Sequence, residues 1–478
     1  MHNKLRRRDL IQMGAGAAGA AALAAGASAV RGAAAPDGPG GQAAAGTVRL
    51  ACDVPVRHTV DVFVGGGGPS GLAAAVTAAR QGRSVFLAEG HTCFGGMGTA
   101  ARVPLFMPFT DGVNFLAGGF GKEVHDRLFA AGGTGPDSRV TIKAEVLKCI
   151  YDDMVAETKM GFAFATQVIA VQARDRRVDH VLCAAKSGLF AVRAHTFIDC
   201  TGDGDLAAWG GAPFEKGDEQ GHLMAGTLCS AWADIDWDTV RKSGLNAEAE
   251  LPKAFQDKVF TNEDRHLPGM WRVDTHVGGG NIGHTFGVDS TDERSVTQAL
   301  LWGRKSLKEY EVFYKKYMKG FEKMVLVATG SLLGIRESRR ILGDYVLGLE
   351  DFKNRAVFPD EIGRFSYPVD IHASTPTPKD YAAYADAFKS LRYGKGENYG
   401  IPYRALVPRD LRNVLVAGRC ISTDRYMQSS VRVMPGCFIT GQAAGMAAAM
   451  AAQEGTDTRS VDARELRQRL RQIGAFLP

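Results

Sequence analysis

The sequence lacks clustered cysteines, a large charge excess and a second nucleotide-binding glycine motif. Its eight cysteines are scattered, with no CxxC pair to bind structural zinc or an iron–sulfur cluster, so no metal is predicted. The first 40 residues carry +3 of the net charge of +5, because five basic residues oppose two acidic ones there. The nearly neutral remainder gives no electrostatic reason to expect binding to nucleic acid or to an anionic membrane.

The first 35 residues are predicted to be a targeting segment and are excluded from the fold. Arg7–Ile11 is an Arg-Arg-x-apolar-apolar run, and the stretch that follows is rich in alanine and glycine. Two triplets of small residues, Ala27–Ala29 and Ala33–Ala35, offer cleavage sites. This pattern resembles a bacterial twin-arginine export signal, so the mature protein is expected in the periplasm or outside the cell. The alternatives are a transmembrane anchor and a disordered tail, although the glycine and alanine content argues against a stable membrane span.

A glycine-rich turn separates a predicted strand, His58–Val64, from a predicted alanine-rich helix, Leu72–Gln81. The turn follows the GxGxxG pattern. Gly66 allows a tight turn, Gly68 lets the backbone approach a pyrophosphate, and Gly71 lets helix and strand pack closely. The helix N-terminus then faces the phosphates.

An acidic residue follows at the position that a dinucleotide site requires. Ser84–Ala88 predicts a second strand, and Glu89 ends it 18 residues beyond Gly71, where a carboxylate accepts hydrogen bonds from the adenosine ribose. This context supports a dinucleotide site; the alternative is a glycine-rich loop without a ligand.

Three features favour FAD over NAD. Gly95 and Gly96 form a second glycine pair that lets the backbone approach the FAD phosphates. Gly161–Ile198 predicts alternating strands of the kind that form the β-meander of FAD folds, leading to a Thr-Gly turn in Asp199–Asp205. Near the C-terminus, Asn413–Ala417 predicts another buried strand, and Gly441–Gly445 is predicted to open a helix whose positive end faces the flavin.

The cofactor domain is therefore expected to be built from both ends of the chain around an inserted domain. The predicted divisions are 1–35 signal and tail, 36–57 linker, 58–205 first part of the FAD-binding domain, 206–402 inserted α+β substrate domain, 403–455 closing part, and 456–478 C-terminal helix and tail. The fold class is α/β, with a Rossmann-like domain that carries a β-meander.

Several motifs together resemble the FAD-dependent oxidoreductase family related to the flavin module of heterodisulfide reductase. They are Gly66–Gly71, Gly95–Thr99, Asp199–Asp205, Gly334–Ile341, Gly418–Ser422 and Arg432–Cys437 with Gly441–Gly445. The chain departs from that enzyme in lacking its iron–sulfur cysteines, and Ser422–Tyr426 stands where some relatives carry a histidine, so neither its clusters nor its substrate are carried over.

The motifs and the resemblance predict a set of FAD contacts. These are Gly66, Gly68, Pro69, Ser70, Gly71, Glu89, Gly95, Gly96, Met97, Val168, Thr201, Gly202, Asp203, Gly418, Arg419, Gly441, Ala443 and Ala444.

The expected reaction is hydride transfer between a small polar organic substrate, such as a sugar or hydroxy acid, and N5 of the flavin. A separate electron acceptor is required, and the sequence does not identify it. The alternatives are a flavin-dependent reductase fed by an external electron carrier and a non-catalytic electron relay. No dedicated NAD(P)H domain is predicted, because there is one phosphate-binding fingerprint.

The candidate catalytic residues are Arg432, Arg336, His284 and Arg425, and His372 and His276 are further candidate bases. Arg336 and Arg340 are four residues apart and would share one face of a helix. The structural alternative is that Glu337 and Asp344 pair with these arginines.

Two segments of the inserted region have recognisable patterns. Gly278–His284 is predicted to be a flexible loop near the substrate or flavin, with a plain surface loop as the alternative. Asp292–Gly320 predicts a long amphipathic helix.

Overall fold

The computed structural model describes residues 52–265, 267 and 269–478, so the predicted export signal lies outside the described residues. The strands are β1 Val56–Gly65, β2 Val85–Ala88, β3 Gly161–Ala163, β4 Gln167–Arg174, β5 Arg177–Ala185, β6 Gly188–Asp199, β7 Phe214–Lys216, β8 Ser230–Ala233, β9 Gly269–Arg272, β10 Gly278–Asn281, β11 Val325–Thr329, β12 Arg339–Ile341, β13 Glu361–Phe365, β14 Tyr399–Pro402 and β15 Val414–Val416. The helices are α1 Pro69–Arg80, α2 Phe120–Ala130, α3 Ala144–Ala156, α4 Asp205–Trp209, α5 Trp237–Ser243, α6 Ala247–Gln256, α7 Glu293–Tyr317, α8 Leu349–Lys353, α9 Pro378–Ser390, α10 Arg425–Val431, α11 Met434–Glu454 and α12 Ala463–Gln472.

The central sheet has seven strands in the order β3-β2-β1-β6-β5-β4, with β15 also paired to β6. Strands β1, β2, β3 and β15 run parallel to their neighbours, whereas β4, β5 and the first half of β6 form an antiparallel meander. Val62, Phe63 and Val64 in β1 are fully buried, as expected for a parallel strand covered on both faces. The predicted α/β fold with a Rossmann-like sheet and a β-meander is confirmed.

The C-terminal helix of the FAD region begins earlier than predicted. Helix α11 starts at Met434, with Pro435 in its first turn, so the prediction that Gly441 opens the helix is wrong. A Cβ atom on Gly441 would lie 2.2 Å from the Ser70 carbonyl oxygen, and one on Gly445 would lie 2.2 Å from that of Ala74. These glycines therefore let α11 pack directly on α1, because a side chain there would overlap the backbone of the neighbouring helix.

The neighbouring alanines share that environment. Ala443 and Ala444 are fully buried in the middle of α11. Like Gly441, they lie in the helix interior, away from the positive N-terminal end that was expected to face the flavin.

The region between the two parts of the central sheet contains a four-stranded antiparallel sheet in the order β11-β8-β10-β9. Strand β10 contains the glycine run that was predicted to be a loop, so that prediction is wrong for Gly278–Asn281. A Cβ atom on Gly279 would lie 2.4 Å from the Pro104 side chain, which explains a glycine inside a strand. The long helix is confirmed as α7, which begins after its N-cap Asp292.

The buried apolar side chains form two clusters. One surrounds the central sheet and α11, and the other joins α7 to the second sheet around Trp232 and Phe313. Val54–Pro478 form one compact unit, and the finer domain boundaries stay a prediction. Within the described residues no single helix is long and apolar enough to cross a membrane; α10 and α11, bent by 93°, meet those criteria only as a pair.

Candidate active site

The turn after β1 leaves open space in front of helix α1. Gly66 has a φ of +92°, and a Cβ atom there would lie 2.5 Å from the Cys200 carbonyl oxygen, so glycine is required. Helix α1 begins at Pro69, and its N-cap Gly68 provides no side-chain hydrogen bond. A Cβ atom on Gly68 would meet no atom within 4 Å. The positive end of α1 therefore faces a volume suited to an anionic phosphate.

Glu89 holds this turn in place. The carboxylate is buried, and its oxygens accept hydrogen bonds from Gly67 N at 2.6 Å and His91 N at 2.7 Å. Each oxygen keeps a further lone pair, so the same carboxylate can accept from a ribose hydroxyl.

The second glycine pair lies against the first. Gly95 N donates to Gly67 O at 2.9 Å, and a Cβ atom on Gly96 would lie 3.2 Å from the Gly68 Cα. Gly95 and Gly96 both have positive φ, at +98° and +46°. The structure therefore brings the two predicted phosphate-facing turns together.

The turn after β6 joins the two ends of the chain. Arg419 Nη2 lies 2.6 Å from Asp203 Oδ1, and the Ser70 hydroxyl donates to Ala417 O at 3.4 Å. A Cβ atom on Gly202 would lie 2.9 Å from the Arg419 guanidinium, and one on Gly418 would lie 2.6 Å from Ser70 Oγ. Gly202 and Gly418 also have positive φ, at +84° and +86°, a conformation that favours glycine.

The remaining predicted contacts support this turn or lie in the meander. Thr201 donates its backbone N–H and its hydroxyl to Asp199, at 3.0 and 2.7 Å. Burial raises the pKa of Asp199 to about 6. Val168 is half-buried in β4, paired with Cys183 of β5.

A family model described as FAD dependent oxidoreductase matches residues 61–470. The chain belongs to this family. It is therefore an FAD-dependent oxidoreductase, and the cofactor predicted from the glycine motifs is confirmed.

This oxidoreductase is similar to several solved flavoprotein structures. A p-nitrophenol 4-monooxygenase from Pseudomonas putida DLL-E4 is 12% identical with a TM-score of 0.47, over 87% of each chain. A geranylgeranyl bacteriochlorophyll reductase-like protein from Thermoplasma acidophilum is 12% identical with a TM-score of 0.44, over 87% of this chain and 83% of that one. An L-proline dehydrogenase from P. horikoshii is 11% identical with a TM-score of 0.39, over 88% and 99%. No curated protein matches the sequence.

The described residues fit FAD. The open volume at Gly68 lies at an uncapped helix N-terminus, and Glu89 lies beside it with lone pairs to accept a ribose hydroxyl. The buried Nε of Arg419 has no hydrogen-bond partner among the described residues, as expected for a group that awaits a ligand. The Gly66–Gly71 turn, Glu89, the Gly95–Met97 turn and Arg419 would hold the cofactor.

A cavity of about 410 Å³ extends from the Gly95–Met97 turn and the start of α11 towards the second sheet. Its wall is formed by Met97, Val103, Leu105, Met107, Thr227, Cys229, Trp271, Asn281, Gly334, Ile335, Arg336, Tyr367, Asp370, His372, Tyr384, Phe388, Arg419, Arg432, Val433 and Met434. This volume suits a small organic molecule. Two of the four predicted catalytic residues, Arg336 and Arg432, line it.

Asp370 lies at the centre of the polar wall, and sequence analysis did not identify it. Its carboxylate lies 3.2 Å from Arg432 Nη2, accepts from Tyr367 Oη at 3.2 Å and from Tyr384 Oη at 3.5 Å, and lies 3.4 Å from His372 Nε2. Burial favours the neutral acid, but His372 in its protonated form, Arg432 and Arg336 outweigh burial and hold the pKa of Asp370 well below its usual range. Asp370 is therefore a carboxylate at neutral pH.

A chain of buried groups leads away from the cavity. His372 Nδ1 lies 3.2 Å from His284 Nε2, and His284 Nδ1 lies 3.0 Å from Asp264 Oδ2. Tyr381 donates to Asp264 Oδ1 at 2.5 Å. Burial and the charge of Arg336 lower the pKa of His372 well below 6.5, so this ring is neutral at pH 7. His284, a predicted catalytic residue, lies behind His372 rather than on the cavity wall.

The predicted arginine pair does not lie on a helix. Arg336 is in an irregular segment, and Arg340 is in β12, where it pairs with Glu337 at 2.8 Å. Arg425 also lies 3.1 Å from Glu337, and it lines a larger cavity of about 1230 Å³ that shares His372 and Tyr384 with the smaller one. The structural alternative is therefore correct for Arg340 and Glu337, whereas Asp344 pairs with Arg459 at 2.6 Å.

The candidate base His276 lies outside the cavity. His276 is exposed, with Nδ1 3.3 Å from Ile235 O. Burial raises the pKa of Cys437 to about 12, so it is a neutral thiol beside Arg432. Among the described residues no group of three or more His, Cys, Asp or Glu side chains is arranged to hold a metal ion.

Proposed function

We propose that this oxidoreductase transfers hydride between a carbon of a small polar organic substrate and N5 of FAD. The observation that carries the proposal is the cavity of about 410 Å³, whose wall joins a cofactor-facing turn to Arg336, Arg432 and the Asp370–His372 pair. FAD supplies the two-electron acceptor when bound, and the protein residues position the substrate and manage its proton.

His372 is the base in this proposal. If each neutral ring carries its proton on Nδ1, His284 donates to Asp264 and His372 donates to His284, at the observed 3.0 and 3.2 Å. The lone pair of His372 is then on Nε2, which lies 3.4 Å from Asp370 Oδ1. A proton taken from a substrate hydroxyl or ammonium group at Nε2 would lie beside that carboxylate, which stabilises the imidazolium ion.

Arg432 positions Asp370 in this proposal. Its guanidinium donates from Nη2 to both the Asp370 carboxylate and the Asp370 backbone oxygen, at 3.2 and 3.3 Å. Because Arg432 lies between α10 and α11, it links the position of Asp370 to the helix beside the cofactor.

The same proposal includes the domain division and the closer family relation. Residues 206–402 would form the inserted substrate domain, because they supply Arg336, Asp370 and His372 to the cavity. The relation to the flavin module of heterodisulfide reductase is supported by Gly334–Ile341 and Arg432–Gly445, which carry Arg336 and Arg432.

The test is anaerobic reduction of the purified enzyme by a panel of hydroxy acids, amino acids, sugars and amines. We expect at least one class to bleach the flavin absorption band, since substrate oxidation delivers two electrons to FAD. Bleaching by dithionite alone, with every organic compound inactive, would contradict the proposal and favour an electron relay.

We also propose export by the twin-arginine route, supported by Arg7 and Arg8 ahead of the alanine-rich stretch. Replacing both arginines with lysine keeps the charge and is expected to leave the full-length protein in the cytoplasm. The measurement is the distribution between periplasmic and cytoplasmic fractions. Unchanged export of the double variant would refute this route.

A further inference from the structure

Arg336 differs from the other arginines of the cavity in its partners. Arg419 is paired with Asp203 at 2.6 Å and Arg432 with Asp370 at 3.2 Å. Within the part of the chain that the structure describes, no salt bridge joins Arg336 to a carboxylate. Its guanidinium donates from Nη1 to Ala225 O at 2.7 Å and to Thr227 Oγ1 at 2.9 Å, and from Nη2 to Asn281 Oδ1 at 3.4 Å.

This environment is costly for a cation. Arg336 is 6% exposed, and its acceptors are neutral. Burial, with Arg432 as the next contribution, lowers the pKa of Arg336 to about 10, so the side chain remains protonated at pH 7. Asp370 acts on Arg336 through its charge, but its salt bridge is with Arg432, so the charge of Arg336 is only partly offset. A ligand anion in direct contact with Arg336 would offset the rest.

The cavity therefore has an unbalanced positive charge. Three guanidinium groups line it, two carboxylates pair with two of them, and His372 is neutral at pH 7. Both hydrogens of Arg336 Nη1 have protein acceptors, but Nη2 has two hydrogens and one acceptor, at the long distance of 3.4 Å. At least one N–H of Nη2 remains to bind a ligand oxygen.

One part of the wall is apolar. Leu105, Met107, Trp271 and Phe388 surround the same space. Such a wall favours a ligand with a hydrocarbon or aromatic body over a polyol, because hydroxyl groups placed against it would lose hydrogen bonds to water.

We propose that the substrate is a small monocarboxylic acid, with its carboxylate on Arg336 and its apolar body against Leu105, Met107, Trp271 and Phe388. This inference rests on the proposed function. For a 2-hydroxy acid, the C–H bond breaks and its electron pair leaves with the hydrogen to FAD, the O–H bond breaks and its proton passes to His372, and a C=O bond forms. The product is a 2-oxo acid.

The test uses benzoate and its uncharged counterpart benzamide, with binding to the FAD-loaded enzyme measured by calorimetry. We expect benzoate to bind at least about 100-fold more tightly than benzamide, because a charge-assisted hydrogen bond to a buried guanidinium is lost with the amide. This comparison needs no variant, so it does not depend on a substitution that prevents folding. Equal affinity of the two probes, or no binding of benzoate at millimolar concentration, overturns the proposal.

Three variants locate the anion. Arg336→Gln is expected to lose about 100-fold in benzoate affinity, and Arg336→Lys, which keeps the charge, to recover part of that loss. Arg404→Gln, at a half-exposed arginine paired with Asp360, is the control and should bind benzoate like the wild type. FAD content should be the same in all variants. If Arg336→Gln binds benzoate normally, or instead loses FAD, the anion on Arg336 is not the substrate.

The two proposals fail in distinguishable ways. If benzoate binding depends on Arg336 but no acid reduces the flavin, the anion site is supported and the proposed oxidation is contradicted. If neutral alcohols or sugars reduce the flavin, and benzoate and benzamide bind equally well, the proposed oxidation is supported and the proposal of a carboxylate substrate is overturned.

Discussion

Gly68→Val is expected to abolish FAD binding while the apoprotein remains folded. Gly68 has a φ of −69°, which any residue can adopt, and a Cβ atom there would meet no protein atom within 4 Å. The added side chain would instead occupy the volume in front of the α1 N-terminus, where the pyrophosphate must approach the backbone. We expect FAD affinity to fall at least about 100-fold, measured by fluorescence titration of the apoprotein, with an unchanged circular dichroism spectrum.

Gly348→Ala is a control at a second helix N-cap. Gly348 is also a helix N-cap with negative φ, and a Cβ atom there would lie 3.4 Å from the nearest atom, Asp424 Oδ2, an ordinary contact. This variant should bind FAD like the wild type. Full FAD occupancy in Gly68→Val would show that the pyrophosphate does not lie at this turn.

His372→Asn is expected to lower the rate of flavin reduction by substrate about 1,000-fold without changing FAD content. The asparagine amide can still donate towards His284, as Nδ1 does in the proposed tautomer, but it cannot accept a proton from the substrate. General-base catalysis contributes roughly 10²- to 10⁴-fold. The measurement is the rate at which substrate bleaches the flavin absorption in an anaerobic stopped-flow experiment. His276→Asn, which changes an exposed histidine outside the cavity, should reduce at the wild-type rate.

The pH dependence gives a second readout of the same base. Because the pKa of His372 lies well below 6.5, its neutral form persists as pH falls through 6.5, and activity should decline only at lower pH. Arg336 is one of the groups that lower this pKa, so Arg336→Gln should move the acid limb to higher pH. If the activity of the wild type already declines at or above pH 6.5, or if His372→Asn is reduced at an unchanged rate, another group accepts the substrate proton.

The candidate cofactor site could be identified from sequence because its determinants are local. Gly66, Gly68 and Gly71 act through backbone conformation and close approach, and Glu89 ends the next strand, so one short segment contains the whole pattern. The start of α11 was misplaced because Gly441 and Gly445 look like a helix opening, whereas Pro435 is the actual signal of the first turn.

The substrate cavity was only partly predictable, because its contacts are long-range. Asp370 lies in an irregular segment, and its partner Arg432 is 62 residues away in the sequence. Strand β10 was not predicted because its glycines are explained by close contacts from other parts of the chain, such as the contact of Pro104 with Gly279. No local pattern distinguishes such residues from surface loops.

The pairing of β6 also has a consequence for the order of folding. Phe197, Ile198 and Asp199 pair with β1 on one side and with β15 on the other, so the last strand of the cofactor sheet comes from Val414–Val416. Contacts so distant in sequence require closure of a long loop, which makes them slow to form. During synthesis the sheet remains incomplete, without β15, until nearly the whole chain has left the ribosome. Arg419 follows β15 in the sequence and becomes available later still. Tight capture of FAD is therefore expected to be one of the last events in the maturation of this protein.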